Sequence, residues 1–420
     1  MLKPAPRSIT DTRHGRTLLF GWLYFAQGAI LAYVVVFNNL YLRAFGAAAW
    51  QLSLLNGLLV LPFVLKIIIG LLSDKTRIQL PLLGTGHRLP YISLGLLFIS
   101  LSSLAMVFIP PVTMYPLFVV IALSVAGGLA IYDTVADGYA IDVTPAEEQG
   151  HIQGVMVISR AAGVVLLASI YGRAIEQFGW PVIFVAVAMI ALAPQLVIRF
   201  AYEPAERAPS QSFSWTALRS LWRPDIFRFS LYAVVYSISI YGANAIITLF
   251  VNEGLGQSLV RVGDVAALGG VGMFIGGLAA TYLVRRPNAS IWRQGRWTAL
   301  AVFAILLLMA SLANNDNIML MFVLWGICLS ASELIYITLA MAKADRRMGA
   351  GQFAIFMAIS NVGVGLGQST TTALIDTVDF RWIFVALSLF SLLMFPLLSA
   401  MRRDDQRDPN PLLTAVSRTD

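Results

Sequence analysis

Residues 129–150 read LAIYDTVADGYAIDVTPAEEQG, and this stretch begins as an apolar run of the kind that crosses a bilayer. Two aspartates, Asp133 and Asp137, nevertheless lie inside the run. A carboxylate in hydrocarbon costs about 2.5–3.5 kcal/mol on insertion scales, so it persists only where it faces a partner or a water-filled path. Because helical residues four apart share one face, the pair predicts a polar site on one side of a membrane helix.

The composition of the whole chain extends this prediction. Of its 420 residues, 58% are hydrophobic and only 12% are charged, whereas a soluble globular protein has about 25% charged residues. The composition therefore predicts a polytopic membrane protein. The single cysteine, Cys328, excludes a disulfide framework, and only three histidines occur, so we expect no metal site and no cofactor. The chain has no Walker loop, nucleophile elbow or His-Glu-x-x-His motif, so we expect no enzyme activity.

Apolar runs long enough to span a bilayer number twelve, and we call them span one to span twelve. They cover roughly residues 18–42, 48–72, 89–109, 115–140, 151–176, 181–201, 227–252, 260–284, 296–314, 317–342, 349–376 and 380–401. The predicted fold is an all-α membrane protein of two six-helix bundles. We expect bundles at 1–201 and 227–401, a cytoplasmic linker at 202–226 and a cytoplasmic tail at 402–420.

The distribution of basic residues predicts the orientation. Of the 29 Lys and Arg residues, only Arg43, Arg173, Arg261 and Arg381 fall in the turns of one side, and two more lie within spans. All others lie in segments of the side that carries both termini, which the positive-inside rule assigns to the cytoplasm. We expect a multi-pass protein of the plasma (inner) membrane. The net charge of +7 reflects this topology, so we expect no nucleic-acid partner.

The two halves of the chain echo each other. GHIQGVMVISRAAG at 150–163 is answered by GAGQFAIFMAISNVG at 349–363, a displacement of roughly 200 residues. A parallel repeat of six-span halves is typical of one class of secondary transporter, with the substrate site at the interface of the repeats. When the two halves are aligned by this displacement, Asp133 of span four corresponds to Glu333 of span ten.

Four ionisable residues lie at similar depths in the first half: Lys66, Asp133, Asp137 and Arg160. Spans four and five are joined by a short loop, so we expect Arg160 to pair with one of the two aspartates. The other carboxylate could then exchange protons. Asp133, the deeper one, is the favoured proton-coupling or substrate-contacting group. The alternative is a static ion-pair cluster that clamps the helices.

Several uncharged or isolated polar groups also lie in spans that would line a central pathway. Candidates for hydrogen bonding to a solute are Gln27, Asn38 and Asn39 of span one and Asn244 of span seven. The alternative is that they join helices to one another. Glu333 is the lone acid in the core of the second half; it could act with the first-half acids, or rest as a protonated group bonded to Ser330 or Ser332.

The loop after span two carries a family resemblance. GLLSDK at 70–75, followed by Arg77, resembles the signature loop of the major facilitator superfamily. The preceding Leu-Pro-Phe-x-x-Lys and the following Gly-x-Arg-x-Pro-Tyr are similar to the branch that holds muropeptide permeases, acetyl-coenzyme A transporters, folate-biopterin transporters and bacteriochlorophyll-delivery proteins. The resemblance implies that Asp74, Lys75, Arg77 and Arg88 form a gating loop, and that Lys66 acts in the anion-facing or gating machinery.

Spans four and five extend the resemblance. The muropeptide and acetyl-coenzyme A members carry Asp-x-x-x-Asp, an aromatic residue, an acidic run and then Arg-x-x-Gly. The matching residues here are Asp133, Asp137, Tyr139, Glu147, Glu148, Arg160 and Gly163.

The function expected from these observations is secondary active transport of a small polar or amphipathic solute by alternating access, as proton-coupled symport. The expected partners are the solute, protons and the lipid bilayer, and we expect a monomer. An alternative on the same fold is a non-transporting assembly factor that delivers a pigment or lipid. A channel is a third alternative, which would be distinguished by a conductance that does not saturate as the solute concentration rises.

Overall fold

The protein is described by a computed structural model over residues 8–80, 84–203, 222–284, 290–344 and 349–407. Within these ranges, twelve helices are long and apolar enough to cross a membrane. This finding confirms the predicted all-α fold and number of spans. Most of the expected linker at 202–226, and the tail beyond 407, lie outside the described residues.

The first six spans begin and end within a few residues of their predicted limits. They cover Arg13–Ala44, Ala49–Lys75, Leu89–Met106, Tyr115–Val143, Ala146–Phe178 and Pro181–Ile198. A short turn of 3-10 helix, Ile9–Asp11, precedes span one. Between spans two and three, strands Ile78–Leu80 and Gly84–Gly86 pair antiparallel, with Gln79 opposite Thr85.

The second six spans follow the same pattern. They cover Pro224–Gly254, Leu259–Val284, Ile291–Leu312, Ile318–Lys343, Gly349–Leu374 and, as two helices, Phe380–Ser391 and Met394–Arg407. The short turn between spans nine and ten is built by Asn314, whose side-chain oxygen accepts the backbone N–H groups of Asp316 and Asn317.

Three spans contain irregular turns that bear on the site. Span one passes through a π-helical turn at Tyr33–Phe37, and span seven ends in another at Phe250–Gly254. Span two consists of three helices, Ala49–Leu59, Leu61–Val64 and Lys66–Lys75. Pro62 lies at the first break, where its missing N–H removes one helical hydrogen bond.

The described residues divide into two compact units. Unit 1 comprises those in Met1–Tyr41 and Leu65–Ser210, and unit 2 those in Leu42–Val64 and Gln211–Asp420. The division assigns residues 42–64, from the end of span one to the second break in span two, to the unit that holds spans seven to twelve. We call the side on which span one begins the inner side and the opposite side the outer side.

The helix contacts inside the units repeat. In unit 1, span one packs on span five, span two on span four, and span three on spans four and six. In unit 2, span seven packs on span eleven, span eight on span ten, and span nine on spans ten and twelve. Adding six to each number of the first set gives the second set, so the contacts confirm the parallel repeat.

Candidate functional site

Asp133 lies at the centre of a hydrogen-bonded cluster in unit 1. Its Oδ2 accepts a hydrogen bond and ion pair from the Lys66 ammonium group at the start of the third helix of span two. Its Oδ1 accepts a hydrogen bond from Gln27 Nε2 of span one. The residue is only 8% exposed. Both oxygens of Asp133 are therefore held, and its negative charge is balanced by Lys66.

Asp137 lies one helical turn from Asp133 but in a different setting. Its Oδ1 accepts a hydrogen bond from the Tyr24 hydroxyl of span one. Tyr24 and Gln27 are three residues apart and share one face of span one, and Asp133 and Asp137 are four residues apart and share one face of span four. These two faces supply the hydrogen bonds to both aspartates. The surface of Asp137 is accessible in the structure, and the residue forms no salt bridge with any described residue. Of the two aspartates, it is the one without a cation partner.

The predicted pair between Arg160 and an aspartate is wrong. The guanidinium of Arg160 is within electrostatic reach of both carboxylates but forms no ion pair with a described residue. The physical reason is helix packing. Span five lies against span one, where a Cβ on Gly28 would come within 2.0 Å of the Arg160 carbonyl oxygen, whereas span two lies against span four. Lys66 therefore takes the position expected for Arg160.

Gln27 is the one uncharged candidate that joins this cluster. Its Oε1 is buried and has no hydrogen-bond partner among the described residues. A buried acceptor without a partner costs about 1–3 kcal/mol, so this oxygen can accept a hydrogen bond from a bound molecule.

The other uncharged candidates bond within the protein. The Tyr33 hydroxyl donates to Asn38 Oδ1 at 3.2 Å across the π-helical turn of span one. In unit 2, Trp325 Nε1 donates to Asn244 Oδ1 at 3.4 Å, which joins spans ten and seven. Asn39 is 9% exposed and is also engaged by its neighbours.

Glu333 lies half-buried on span ten beside a group of stacked aromatic rings in unit 2. The Tyr236 and Tyr336 rings are 5.0 Å apart and nearly parallel, and Phe229 stacks on Tyr336 at 5.7 Å. The buried Ser332 hydroxyl has no hydrogen-bond partner in the part of the chain that the structure describes, so the expected bond between Ser332 and Glu333 is not formed. Glu333 therefore stands at the edge of an aromatic core.

The predicted gating loop forms a buried charge cluster at the inner end of unit 1. Arg88 bonds to Asp74 at 2.7 Å, Asp142 at 2.8 Å and the Ser73 hydroxyl at 3.1 Å. Burial lowers the pKa of Arg88, but the Asp142 and Asp74 carboxylates outweigh it and raise the pKa above its ordinary value. Lys75 and Arg77 are exposed and outside this cluster.

Glu203, which follows span six in the chain, also contributes to the inner cluster. Its carboxylate accepts the backbone N–H groups of His87, Arg88 and Leu89, each at 2.8 Å. These groups open the N-terminus of span three, where the helix leaves backbone donors unsatisfied and the macrodipole favours a negative charge. Glu203 therefore fixes the end of span six to the start of span three.

Sequence reasoning missed three residues of these clusters: Tyr24, Asp142 and Glu203. Tyr24 could have been found by its three-residue spacing from Gln27. Asp142 continues the series of acids in span four, and its position at the inner end of that span matches that of Arg88. Glu203 carries no comparable signal, since nothing local links it to the start of span three.

Comparison with known proteins agrees with this architecture. The profile of the Major Facilitator Superfamily matches residues 17–359. Among solved structures, a bacterial homologue of the human lysosomal transporter Spinster, in an inward-facing and unoccupied conformation, superposes with a TM-score of 0.71 at 17% identity. The match covers 94% of this chain and 98% of that one.

Two further solved structures are similar. The nucleoside transporter NupG matches with a TM-score of 0.71 at 11% identity, over 92% of this chain and 99% of its own. The E. coli fucose:proton symporter FucP matches with a TM-score of 0.57 at 15% identity, over 92% and 98%. At these identities the likeness concerns the fold. Together with the profile match over most of the chain and the repeated six-span pattern, it shows that this chain belongs to the major facilitator superfamily of membrane transport proteins.

Proposed function

We propose that this protein is a secondary active transporter that moves a small polar or amphipathic solute by alternating access, coupled to protons through Asp137. The proposal places it in the plasma (inner) membrane as a monomer. Its fold is that of membrane transporters, and one structure with a similar fold is a fucose:proton symporter.

The proposal rests on the different contacts of Asp133 and Asp137. Asp133 is neutralised by Lys66 and held at both oxygens, whereas Asp137 has one hydrogen-bond donor, an accessible surface and no ion-pair partner among the described residues. A carboxylate at membrane depth needs charge compensation, and for Asp137 a proton from solvent can supply it. The contacts therefore favour Asp137 over Asp133 as the group that takes up and releases the proton.

Asp133 and its partners are then the solute-facing part of the cluster. Gln27 donates to Asp133 and keeps its Oε1 for another donor, so a solute hydroxyl or amide N–H can bond there. Movement of the solute would disturb Gln27 and Asp133, and Asp137 lies one turn away on the same helix face. This proximity couples solute binding to the protonation of Asp137. Glu333, at the repeat-related position of span ten, is proposed as a second acid of the pathway.

A spectroscopic test of the proton carrier needs no identified solute. Infrared titration of the purified protein in lipid should show a carboxylic-acid carbonyl band that disappears as pH rises. The band should be lost in Asp137→Asn and kept in Asp133→Asn. Asp316→Asn, in the exposed turn between spans nine and ten, serves as the matched control. Loss of the band in Asp133→Asn but not in Asp137→Asn would contradict the proposal and identify Asp133 as the proton carrier.

A ligand screen tests transport itself. Thermal unfolding should be measured at two pH values against muropeptides, folates and pterins, coenzyme A thioesters and bacteriochlorophyll precursors. Ligand at about 100 times its Kd stabilises by roughly 2.7 kcal/mol. We expect one polar class to give a saturable, pH-dependent shift that becomes pH-independent in Asp137→Asn, and proton-driven uptake of that class into proteoliposomes. A shift with the pigment precursor alone, without uptake, would instead support a delivery factor.

A further inference from the structure

The arginine side chains that the structure describes in unit 2 fall into two groups. One group is engaged by carboxylates, carbonyl oxygens or other neighbours, and its members are Arg43, Arg223, Arg228, Arg261 and Arg381. The other group forms no hydrogen bond or ion pair with a described residue, and its members are Arg293, Arg296, Arg402 and Arg403. All members of this second group lie where span nine begins and span twelve ends. We call them the arginine patch.

Spans nine and twelve run antiparallel and touch near both ends. Arg381, near the start of span twelve, donates to the carbonyls of Ala310 and Ala313 at the end of span nine, at 2.8 and 2.9 Å. Near the other end, a Cβ on Gly295 would come within 3.2 Å of Leu398 Cδ2. The absence of a side chain at Gly295 thus lets the two helices approach closely beside the arginine patch.

The contact between Gly295 and Leu398 places arginines of both helices in one layer. Arg293 lies two residues before Gly295, and Arg402 lies four residues after Leu398. Because a helix rises about 1.5 Å per residue, these arginines lie roughly 3 and 6 Å beyond the contact, on the same side of it. Span nine begins on the inner side, so the arginine patch lies at the inner end of this helix pair.

The start of span nine is held in place although its arginines are not. Ile291 and Trp292 are buried. Gln294 Nε2 donates to the carbonyl of Leu283 at 2.7 Å, which fastens span nine to the end of span eight. The backbone that carries Arg293 is therefore fixed before any ligand arrives, and less ordering is required when one binds.

An exposed apolar stripe extends along span nine from the arginine patch. Its members recur every three or four residues, and they are Trp297, Leu300, Ala304, Leu307, Leu308 and Ser311. This spacing places them on one face of the helix. Val302 and Leu306, on the opposite face, are fully buried. The stripe is therefore the lipid-facing side of span nine, and Arg293, four residues before Trp297, stands at its inner end.

Span twelve has a matching stripe that runs in the opposite direction. Its exposed members are Trp382, Ala386, Leu389, Leu393 and Pro396, and Arg403 follows Pro396 by two helical turns. Each of the two helices therefore carries an exposed apolar face that ends in an arginine at the inner side. The chain continues with Asp404 and Asp405, which leaves the four arginines with an excess of positive charge.

The order of these groups along the helix axis indicates what they bind. The guanidinium groups come first, and a guanidinium fits a phosphate oxygen pair through two parallel N–H donors. Trp297 follows about 6 Å deeper, and tryptophan is the residue typical of the membrane–water interface. The apolar stripe comes last. A phospholipid presents the same sequence of groups, namely a phosphate, a glycerol ester region and acyl chains.

We propose that the arginine patch, Trp297 and the apolar stripe of span nine form a binding site for an anionic phospholipid. The phosphodiester bonds to the arginines of both helices, the indole lies beside the glycerol esters, and one acyl chain follows the stripe. Several arginines converge without a carboxylate partner, so a net negative headgroup is favoured over a zwitterionic one. The site lies wholly within unit 2 and does not depend on which solute the protein binds.

Native mass spectrometry of the protein from nonionic detergent tests the site. Palmitoyl-oleoyl phosphatidylglycerol is titrated beside phosphatidylcholine with the same chains. Each basic residue at a membrane surface contributes about fivefold in affinity. Arg293→Ala/Arg296→Ala and Arg402→Ala/Arg403→Ala should therefore each weaken phosphatidylglycerol binding roughly 25-fold and leave phosphatidylcholine binding unchanged. Arg402→Lys/Arg403→Lys, which keeps the charge, should retain most of the preference.

The matched control removes the same charge elsewhere. Arg13 and Arg223 are exposed arginines before or at the start of spans one and seven, outside the arginine patch. Arg13→Ala/Arg223→Ala should leave phosphatidylglycerol binding within about twofold of the parent, because a local site does not respond to remote charge beyond a Debye length. Equal weakening in this control, or equal binding of the two lipids by the parent, would overturn the proposal.

Two further arms separate a lipid from a free anion. Trp297 and Trp382 are similarly exposed, at 65% and 68%, at opposite ends of the helix pair. Trp297→Ala should weaken phosphatidylglycerol binding severalfold, whereas Trp382→Ala should not change it. Inorganic phosphate in millimolar excess should leave the bound lipid in place. Displacement of the lipid by phosphate, together with an unchanged affinity in Trp297→Ala, would show a site for a free anion and overturn the lipid assignment.

Discussion

Two arginines, Arg88 at the inner end and Arg43 at the outer end, each join two carboxylates with bonds of 2.7 to 2.8 Å. Their surroundings differ. The Arg88 side chain is 10% exposed and its partners Asp142 and Asp74 are 5% and 22% exposed. The Arg43 side chain is 24% exposed and its partners Glu253 and Asp376 are 28% and 38% exposed. Arg88 bonds to residues of spans two and four in its own half, whereas Arg43 bonds to residues of the other half of the chain.

Each arginine is accompanied by a carboxylate that accepts backbone N–H groups where a span begins. Glu203 accepts three at the start of span three, and Asp376 accepts one at the start of span two. Burial makes removal of one partner expensive because the remaining charge is left unpaired. Exposure makes the same removal cheap because water solvates what is left. Loss of a charged partner should therefore cost more free energy of unfolding in the inner cluster than in the outer one.

The largest expected effect is on the inner cluster. Arg88→Ala leaves two carboxylates beside an empty site and should cost about 3–5 kcal/mol of unfolding free energy. The midpoint of thermal unfolding in detergent would fall accordingly. Arg77→Ala, which removes an exposed arginine of the same loop, should leave the midpoint unchanged. An equal change in both would contradict the buried character of the Arg88 cluster.

A smaller loss is expected when the cap of span three is weakened. Glu203→Gln keeps the shape but removes the charge that accepts three N–H groups, which should cost about 0.5–2 kcal/mol, the range for helix caps. Amide hydrogen exchange at His87, Arg88 and Leu89 should accelerate. Unchanged exchange at these three amides would show that the carboxylate does not hold the helix start.

The outer cluster should contribute less to stability. Arg43→Ala removes two partly exposed ion pairs, so the expected cost is about 0.5–2 kcal/mol in total, below that of Arg88→Ala under the same conditions. A loss equal to that of Arg88→Ala would contradict the inference that burial makes the inner cluster contribute more to stability than the outer one.

The smallest effect is a pH dependence at Asp376. The Ala49 amide hydrogen bond is the main cause that lowers the pKa of Asp376, burial opposes it, and Arg43 adds to the lowering. A carboxyl whose pKa is lowered in the folded state stabilises that state above the ordinary pKa of about 3.9, and the contribution is lost as pH falls through the lowered value. The parent should therefore be more stable than Asp376→Asn by a few tenths of a kcal/mol at neutral pH.

Thermal unfolding of the two proteins from pH 7 downward measures this difference. It should stay constant until the pH approaches 3.9 and vanish below the lowered pKa of Asp376. A difference that disappears between pH 7 and 5 would contradict the assignment.

Local sequence determined much of this protein. The twelve spans and the halves of the repeat could be predicted because burying an apolar run in a bilayer is a cost summed residue by residue along the chain. The acids of span four and the basic residues around Asp74 were visible for the same reason, since a charge in or beside an apolar run stands out. The family followed from the loop after span two.

Tertiary structure alone decided which charged groups meet. The short loop between spans four and five favoured Arg160 as the partner of Asp133 or Asp137, yet span two packs more closely on span four than span five does and brings Lys66 to Asp133. Glu203 reaches the start of span three, and Arg43 reaches Glu253, from positions far apart in the chain. Such pairs depend on which helices become neighbours, and that choice is made by side-chain packing over the whole bundle, which no local pattern records.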